Sequence, residues 1–98
     1  MTAVTTHVLD ATLGAPAAGL RVSLGPVAAV TGEDGRATLG EVGPGVHELT
    51  FATGDWFTAR GTDTFYPSVT VRFSAAADGR CHIPLLLSPF AYSTYRGS

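Results

Sequence analysis

The chain reads as an all-β protein, an antiparallel β-sandwich of seven to eight short strands with one short helix. Three observations predict it. Apolar side chains recur at every second position, as in Leu20, Val22 and Leu24 against Arg21 and Ser23, the period of a strand with one face in the core and one in water. Breaks rich in glycine, proline and aspartate interrupt these runs, as at Gly25-Pro26, Glu33-Asp34-Gly35, Gly43-Pro44-Gly45 and Asp78-Gly79, and the short strands between turns recur at roughly 8 to 12 residues. Only one stretch, beginning at Thr53, carries helix signals.

The first expected strand is Val4 to Asp10, with Val4, Thr6 and Val8 on one face and Thr5, His7 and Leu9 on the other. Thr12 to Gly19 is a loop of Ala, Gly and Pro, and Leu20 to Leu24 is a second strand that Gly25-Pro26 ends. Val27 to Thr31 is a third, and the Glu33-Asp34-Gly35 turn returns the chain into Arg36 to Leu39, so these two strands are expected to pair as a hairpin. Beyond Gly43-Pro44-Gly45, His47, Leu49 and Phe51 alternate with Val46, Glu48 and Thr50. Thr53 offers an N-cap hydroxyl, Asp55 a negative charge in the first turn and Gly61 a stop, which bracket about two turns of helix anchored on the sheet by Trp56 and Phe57. Tyr66 to Ser74 returns to period two, with Val69, Val71 and Phe73 inward and Ser68, Thr70 and Arg72 outward. In the last long run Cys81, Ile83, Leu85 and Leu87 share the core face, and His82, Pro84, Leu86 and Ser88 face away. Phe90, Tyr92 and Tyr95 follow, and aromatics at that density predict a docked tail rather than a frayed one.

Ninety-eight residues suit one domain, residues 1–98, and 45% apolar content suffices for a core. Charged residues make up only 14%, with a net charge of -2 and no basic run, which argues against nucleic acid and anionic membrane as partners. The single cysteine, Cys81, has no intrachain partner for a disulfide, and the N-terminus lacks the basic-then-apolar layout of a secretion signal, so a cytoplasmic location is expected. The longest apolar run, Ile83 to Leu87, contains a proline and falls far short of the ~20 residues of a membrane helix.

A lone strand histidine such as His7 is most often a hydrogen-bonded surface residue. His82 also projects from a non-core face, however, and Arg36 leaves a tight turn at a strand start. Two imidazoles that titrate near neutrality and one guanidinium are what hydrolysis of a cyclic amide requires: a base for water and donors for the developing oxyanion. His47 shares a face with Leu49 and Phe51 and reads as a packed or rim residue. Three scattered histidines and one cysteine lack the spacing of a zinc site, so neither metal nor cofactor is expected. Ser88, Ser93 and Ser98 lie outside any Gly-x-Ser-x-Gly elbow, which disfavours a covalent serine route. Leu86, outward beside His82, is expected to be covered by another subunit.

Five blocks in order carry a more specific signal: Thr6-His7-Val8-Leu9-Asp10, Asp34-Gly35-Arg36, Thr53-Gly54-Asp55-Trp56-Phe57, Phe65-Tyr66-Pro67, and Cys81 to Ser98 ending in Tyr95-Arg96-Gly97-Ser98. The chain resembles the 5-hydroxyisourate hydrolases, the transthyretin-like enzymes of urate breakdown, over nearly its whole length. The resemblance implies a transthyretin-like sandwich that opens the ring of 5-hydroxyisourate to 2-oxo-4-hydroxy-4-carboxy-5-ureidoimidazoline, without cofactor and with water as nucleophile. The family's functional trio falls on His7, Arg36 and His82, with either histidine as base. Tyr95, Arg96 and Ser98 are expected to line the substrate pocket, Arg96 also holding a carboxylate. The resemblance further implies a homo-oligomer, a tetramer built as a dimer of dimers, with its sites between subunits. One departure is Arg80, where the family commonly has a second histidine. The competing reading is a small-ligand carrier of the same fold, of thyroid-hormone type; hormone carriers lack the terminal Tyr-Arg-Gly-Ser and the paired histidines.

Overall fold

The computed structural model describes residues 1–98 as two facing sheets. In the first sheet, the central strand β1 (Thr2–Asp10) is flanked on one side by the two-residue β2 (Ala15–Pro16) and by β5 (Arg36–Val42), and on the other by β8 (Gly79–Ser88), beyond which lies β9 (Ala91–Thr94). The second sheet runs β4 (Val27–Val30), β3 (Arg21–Leu24), β6 (Gly45–Phe51), β7 (Val69–Ala75), and the helix α1 (Thr53–Thr58) follows β6. All ladders are antiparallel except that of β1 and β8, which pair in parallel over nine positions from Thr2↔Gly79 to Asp10↔Leu87.

Alternation decides which side chains meet. In β1 every even-numbered residue from Thr2 to Asp10 is buried, and in β8 Ile83, Leu85 and Leu87 are buried, so Val4, Val8, Ile83, Leu85 and Leu87 face Leu20, Val22, Leu49, Phe51 and Val69 across the core. Trp56 and Phe57 close one end of that core, edge to face at 5.2 Å, and the Trp56 indole N–H donates to the Ala18 carbonyl at 2.8 Å. The odd-numbered residues of β1 are left on the outer face of the first sheet.

The structure corrects four local expectations. Val27–Val30 and Arg36–Val42 do not form a hairpin: β4 pairs with β3 and β5 with β1, in different sheets. The turn between them is held by neighbours on both sides. The Thr31 hydroxyl donates to the Ala17 carbonyl (2.6 Å) and accepts the Leu20 N–H (2.9 Å), while the Gly35 carbonyl accepts the Val8 N–H (2.8 Å), so the chain crosses from sheet to sheet. Thr53 is not an N-cap: Ala52 precedes the helix, and the Thr53 hydroxyl is buried without a partner. β7 begins at Val69 rather than Tyr66, because Thr64 and Phe65 both donate to the Pro89 carbonyl and Pro67 accepts the Gly54 N–H, which ties this segment to its surroundings outside the sheet. The strands number nine once the two-residue β2 is included. The tail is docked, as expected: β9 pairs with β8, and the Gly97 N–H donates to the His82 carbonyl at 2.9 Å.

Candidate active site

Register builds the site. On the outer face of the first sheet, His7 stands opposite Arg36 across the β1–β5 ladder, and one step along, Thr5 stands between Thr38 on β5 and His82 on β8. Three segments remote in sequence therefore meet in two adjacent rows, and the tail folds back over the second row through Gly97.

The Asp34-Gly35-Arg36 turn braces the first row. Gly35 has φ +78, and a Cβ there would collide with the Val8 carbonyl, so only glycine lets the turn lie this close to β1. Asp34 then serves three partners. Its carbonyl accepts the His7 Nε2–H (2.9 Å), its Oδ1 accepts the Arg36 backbone N–H (3.0 Å), and its Oδ2 lies 3.8 Å from Arg36 Nε. A carbonyl only accepts, so neutral His7 carries its proton on Nε2 and its lone pair on Nδ1.

His82 is held differently. Its Nδ1 lies 2.8 Å from Thr5 Oγ1, its carbonyl is bound by the tail, and Gly97 lies so close that a Cβ there would come within 2.6 Å of ring atom Cδ2 and 3.1 Å of Pro84 Cγ. Partial burial, then the charges of Arg36 and of His7, hold the His82 pKa below its ordinary value. The ring stays neutral at neutral pH. Cys81, facing the other way, has its thiol pKa pushed up by burial, against a smaller opposing pull from Arg96.

A depression of about 280 Å³ opens over this face, lined by Thr5, Arg36, Thr38, Arg80, His82, Gly97 and Ser98 among others. Ser98 thus joins Arg36 and His82, while His7, opposite Arg36 in the ladder, does not line the depression. Tyr95 and Arg96 do not line this depression. They line a separate apolar cavity of about 230 Å³ on the other side of His82, with Val71, Phe73, Cys81 and Ile83. None of the three ion pairs involves Arg96, which corrects the expected carboxylate contact. Arg80, noticed in the sequence only as a departure, adds a second cation to the depression.

The largest concavity, about 690 Å³, lies elsewhere, beside the first half of β6, where β7 flanks one side and β3 stops short at Leu24. One pair of its charges lies close together, Glu48 3.9 Å from Arg72. The His47 ring is engaged too, its Nε2–H on the Gly43 carbonyl at 2.8 Å and its face 6.0 Å from Phe73. We place the chemistry at the smaller depression, where the imidazole and guanidinium groups converge. No cluster of His, Cys, Asp or Glu has the make-up of a metal site. No helix is long and apolar enough to cross a membrane.

A sandwich of this topology, with a polar site on one outer sheet face and a tail bound across it, defines a transthyretin-fold protein. The chain belongs to the HIUase/Transthyretin family, whose pattern matches residues 4–97. It is 41% identical to the 5-hydroxyisourate hydrolase of Pseudomonas aeruginosa, over 97% of this chain and 90% of that one. Among solved structures it resembles the 5-hydroxyisourate hydrolase of Klebsiella pneumoniae (TM-score 0.91, 36% identity, covering 100% of this chain and 94% of the other). It also resembles sea bream transthyretin in complex with thyroxine (TM-score 0.85, 29% identity, covering 96% and 93%).

Proposed function

We propose that this protein is a hydrolase that opens the ring of 5-hydroxyisourate in urate catabolism. The observation that carries the reading is the convergence of His7, Arg36 and His82 on one outer sheet face, in a chain 41% identical to a protein named for that activity. Residues 1–98 act as one transthyretin-like hydrolase domain. In the reaction a histidine removes a proton from water, and the hydroxide adds to the ring carbonyl. The guanidinium of Arg36, with Arg80 nearby, stabilises the resulting oxyanion. The C–N bond then breaks, and the departing nitrogen takes the proton held by the imidazolium that had activated water. Tyr95, Arg96 and Ser98 bound the substrate's surroundings, Ser98 in the depression itself. The carrier reading is less favoured: the hormone-bound relative is 29% identical against 36–41% for the hydrolases.

The working unit is a homotetramer in the cytoplasm. Leu86 is only half buried, Leu9 is its partner in the β1–β8 ladder, and Leu13, Phe65 and Phe90 are largely exposed, an apolar surface that closed symmetric assembly would cover. The test is a decay assay on 5-hydroxyisourate made fresh by urate oxidase. Decay no faster with the purified protein than without it overturns the enzyme. A Leu86→Glu variant that sediments as a monomer yet turns over normally overturns the shared site.

A further inference from the structure

Thr5 has no role in the proposed reaction, yet its hydroxyl is the sole side-chain partner of the His82 ring. Its Oγ1 lies 2.8 Å from Nδ1, and its own ladder position opposite His82 sets that distance. That hydroxyl makes no other hydrogen bond. Its proton therefore has one acceptor in the protein, the Nδ1 lone pair. A ring that accepts at Nδ1 carries its proton on Nε2. Gly97 packs against the Cδ2 edge of the ring, and His82 borders the depression together with Gly97 and Ser98, with no protein group hydrogen-bonded to Nε2.

We infer that Thr5 is a positioning residue, which holds neutral His82 as the Nε2–H tautomer and so makes His82 a hydrogen-bond donor to the reacting group and His7 the proton acceptor of the pair. The two imidazoles are braced in opposite senses. His7 spends its Nε2–H on the Asp34 carbonyl and keeps a lone pair at Nδ1; His82 receives a proton at Nδ1 and keeps its Nε2–H free. The proton balance follows. His7 Nδ1 takes a proton from water as hydroxide adds to the carbonyl, the resulting His7 imidazolium gives that proton to the departing ring nitrogen as the C–N bond breaks, and the neutral His82 Nε2–H hydrogen-bonds the charge that develops between the two steps, so both rings end as they began. The inference rests on the proposed hydrolysis for its roles but not for the tautomer, which exists without substrate.

Two measurements on the intact protein separate these layers. Long-range proton–nitrogen NMR of ¹⁵N-histidine protein, at a pH where His82 is neutral, should show a protonated Nε2 and an accepting Nδ1; an Nδ1–H ring in the wild type overturns the inference whatever the activity. Thr5→Val, which keeps the shape and loses the hydroxyl, should mix the tautomers and lower kcat by about 10- to 100-fold with little change in KM, the scale of a misoriented catalytic group. Thr5→Ser should restore both. A Thr5→Val protein with a mixed tautomer and full kcat overturns the positioning role, as does a serine variant as slow as the valine one. If the wild type proves inactive on 5-hydroxyisourate, the proposed function falls and the spectrum still decides the tautomer.

Discussion

The two sheets present outer faces of the same construction and opposite character. On the second sheet, outward side chains are satisfied by cross-strand neighbours: Glu48 lies 3.9 Å from Arg72 and Thr50 shares a 3.0 Å hydrogen bond with Thr70. On the first, Asp34 braces His7 and Arg36 and Thr5 braces His82, while Arg36 and His82 border an open depression. His47, which shares the inward face of its strand with Leu49 and Phe51, and the outward His82 add a second contrast, between a packed histidine and one at the site. One is locked by a carbonyl four residues away and a phenyl ring; the other is positioned by residues 77 and 15 apart in sequence and turned toward open space. A functional face differs from a structural one in where its spare hydrogen-bonding capacity points.

The largest effect expected is from removing residues 95–98, which takes away Ser98 and the Gly97 bond to His82. Turnover should vanish while the thermal midpoint falls modestly, since these residues add little to the core. Retained activity would remove the tail from the site. Next come His7→Asn, Arg36→Gln and His82→Asn, each expected to fold and to lose about 100-fold or more in activity, whereas His47→Asn should keep most of it. Equal losses in all four would erase the distinction between the packed histidine and the site.

Gly97→Ala sharpens the comparison, because the new methyl would press on the His82 ring. A loss of about 10- to 100-fold in kcat, with the fold intact by circular dichroism, is expected. The pH dependence follows from the lowered His82 pKa. Above the ordinary histidine value of ~6.5 the ring is neutral in folded and unfolded chains alike; as pH falls below it, the unfolded chain takes up a proton that the folded one resists, so stability declines toward the lower folded pKa. An NMR titration should place His82 below the ordinary histidine value, and a midpoint at or above that value would contradict the burial argument. Smallest of all, Arg72→Ala on the second face should cost no more than about 0.5 kcal/mol in denaturant unfolding and leave activity unchanged.

Much of this was legible because alternation is local. The faces of β1 and β8, the trio, and the packed role of His47 all followed from period two together with the family blocks. What was not legible depends on pairing. The Glu33-Asp34-Gly35 turn has hairpin chemistry whether its strands pair with each other or cross between sheets, and only the bonds of Gly35 to Val8 and of Thr31 to Ala17 decide. Thr5 gave no signal beyond sharing a face with His7, because its partner is set by the parallel register with β8. Tyr95 and Arg96 belong to a different cavity from Ser98 because the β8–β9 pairing, together with the Gly97 bridge, fixes on which side of His82 each tail residue falls.

The parallel ladder between β1 and β8 also sets when the site comes into being. Thr5 and His82 lie 77 residues apart, so the site cannot be completed before β8 has been made. On a ribosome, β1 emerges first and waits with one edge unpaired until β8 follows, and closing that separation is the slow, entropy-limited kind of step that delays β-rich folds. The histidines thus become an active site at the same moment as the first sheet becomes whole. An incompletely folded chain therefore offers an open strand edge and no catalysis.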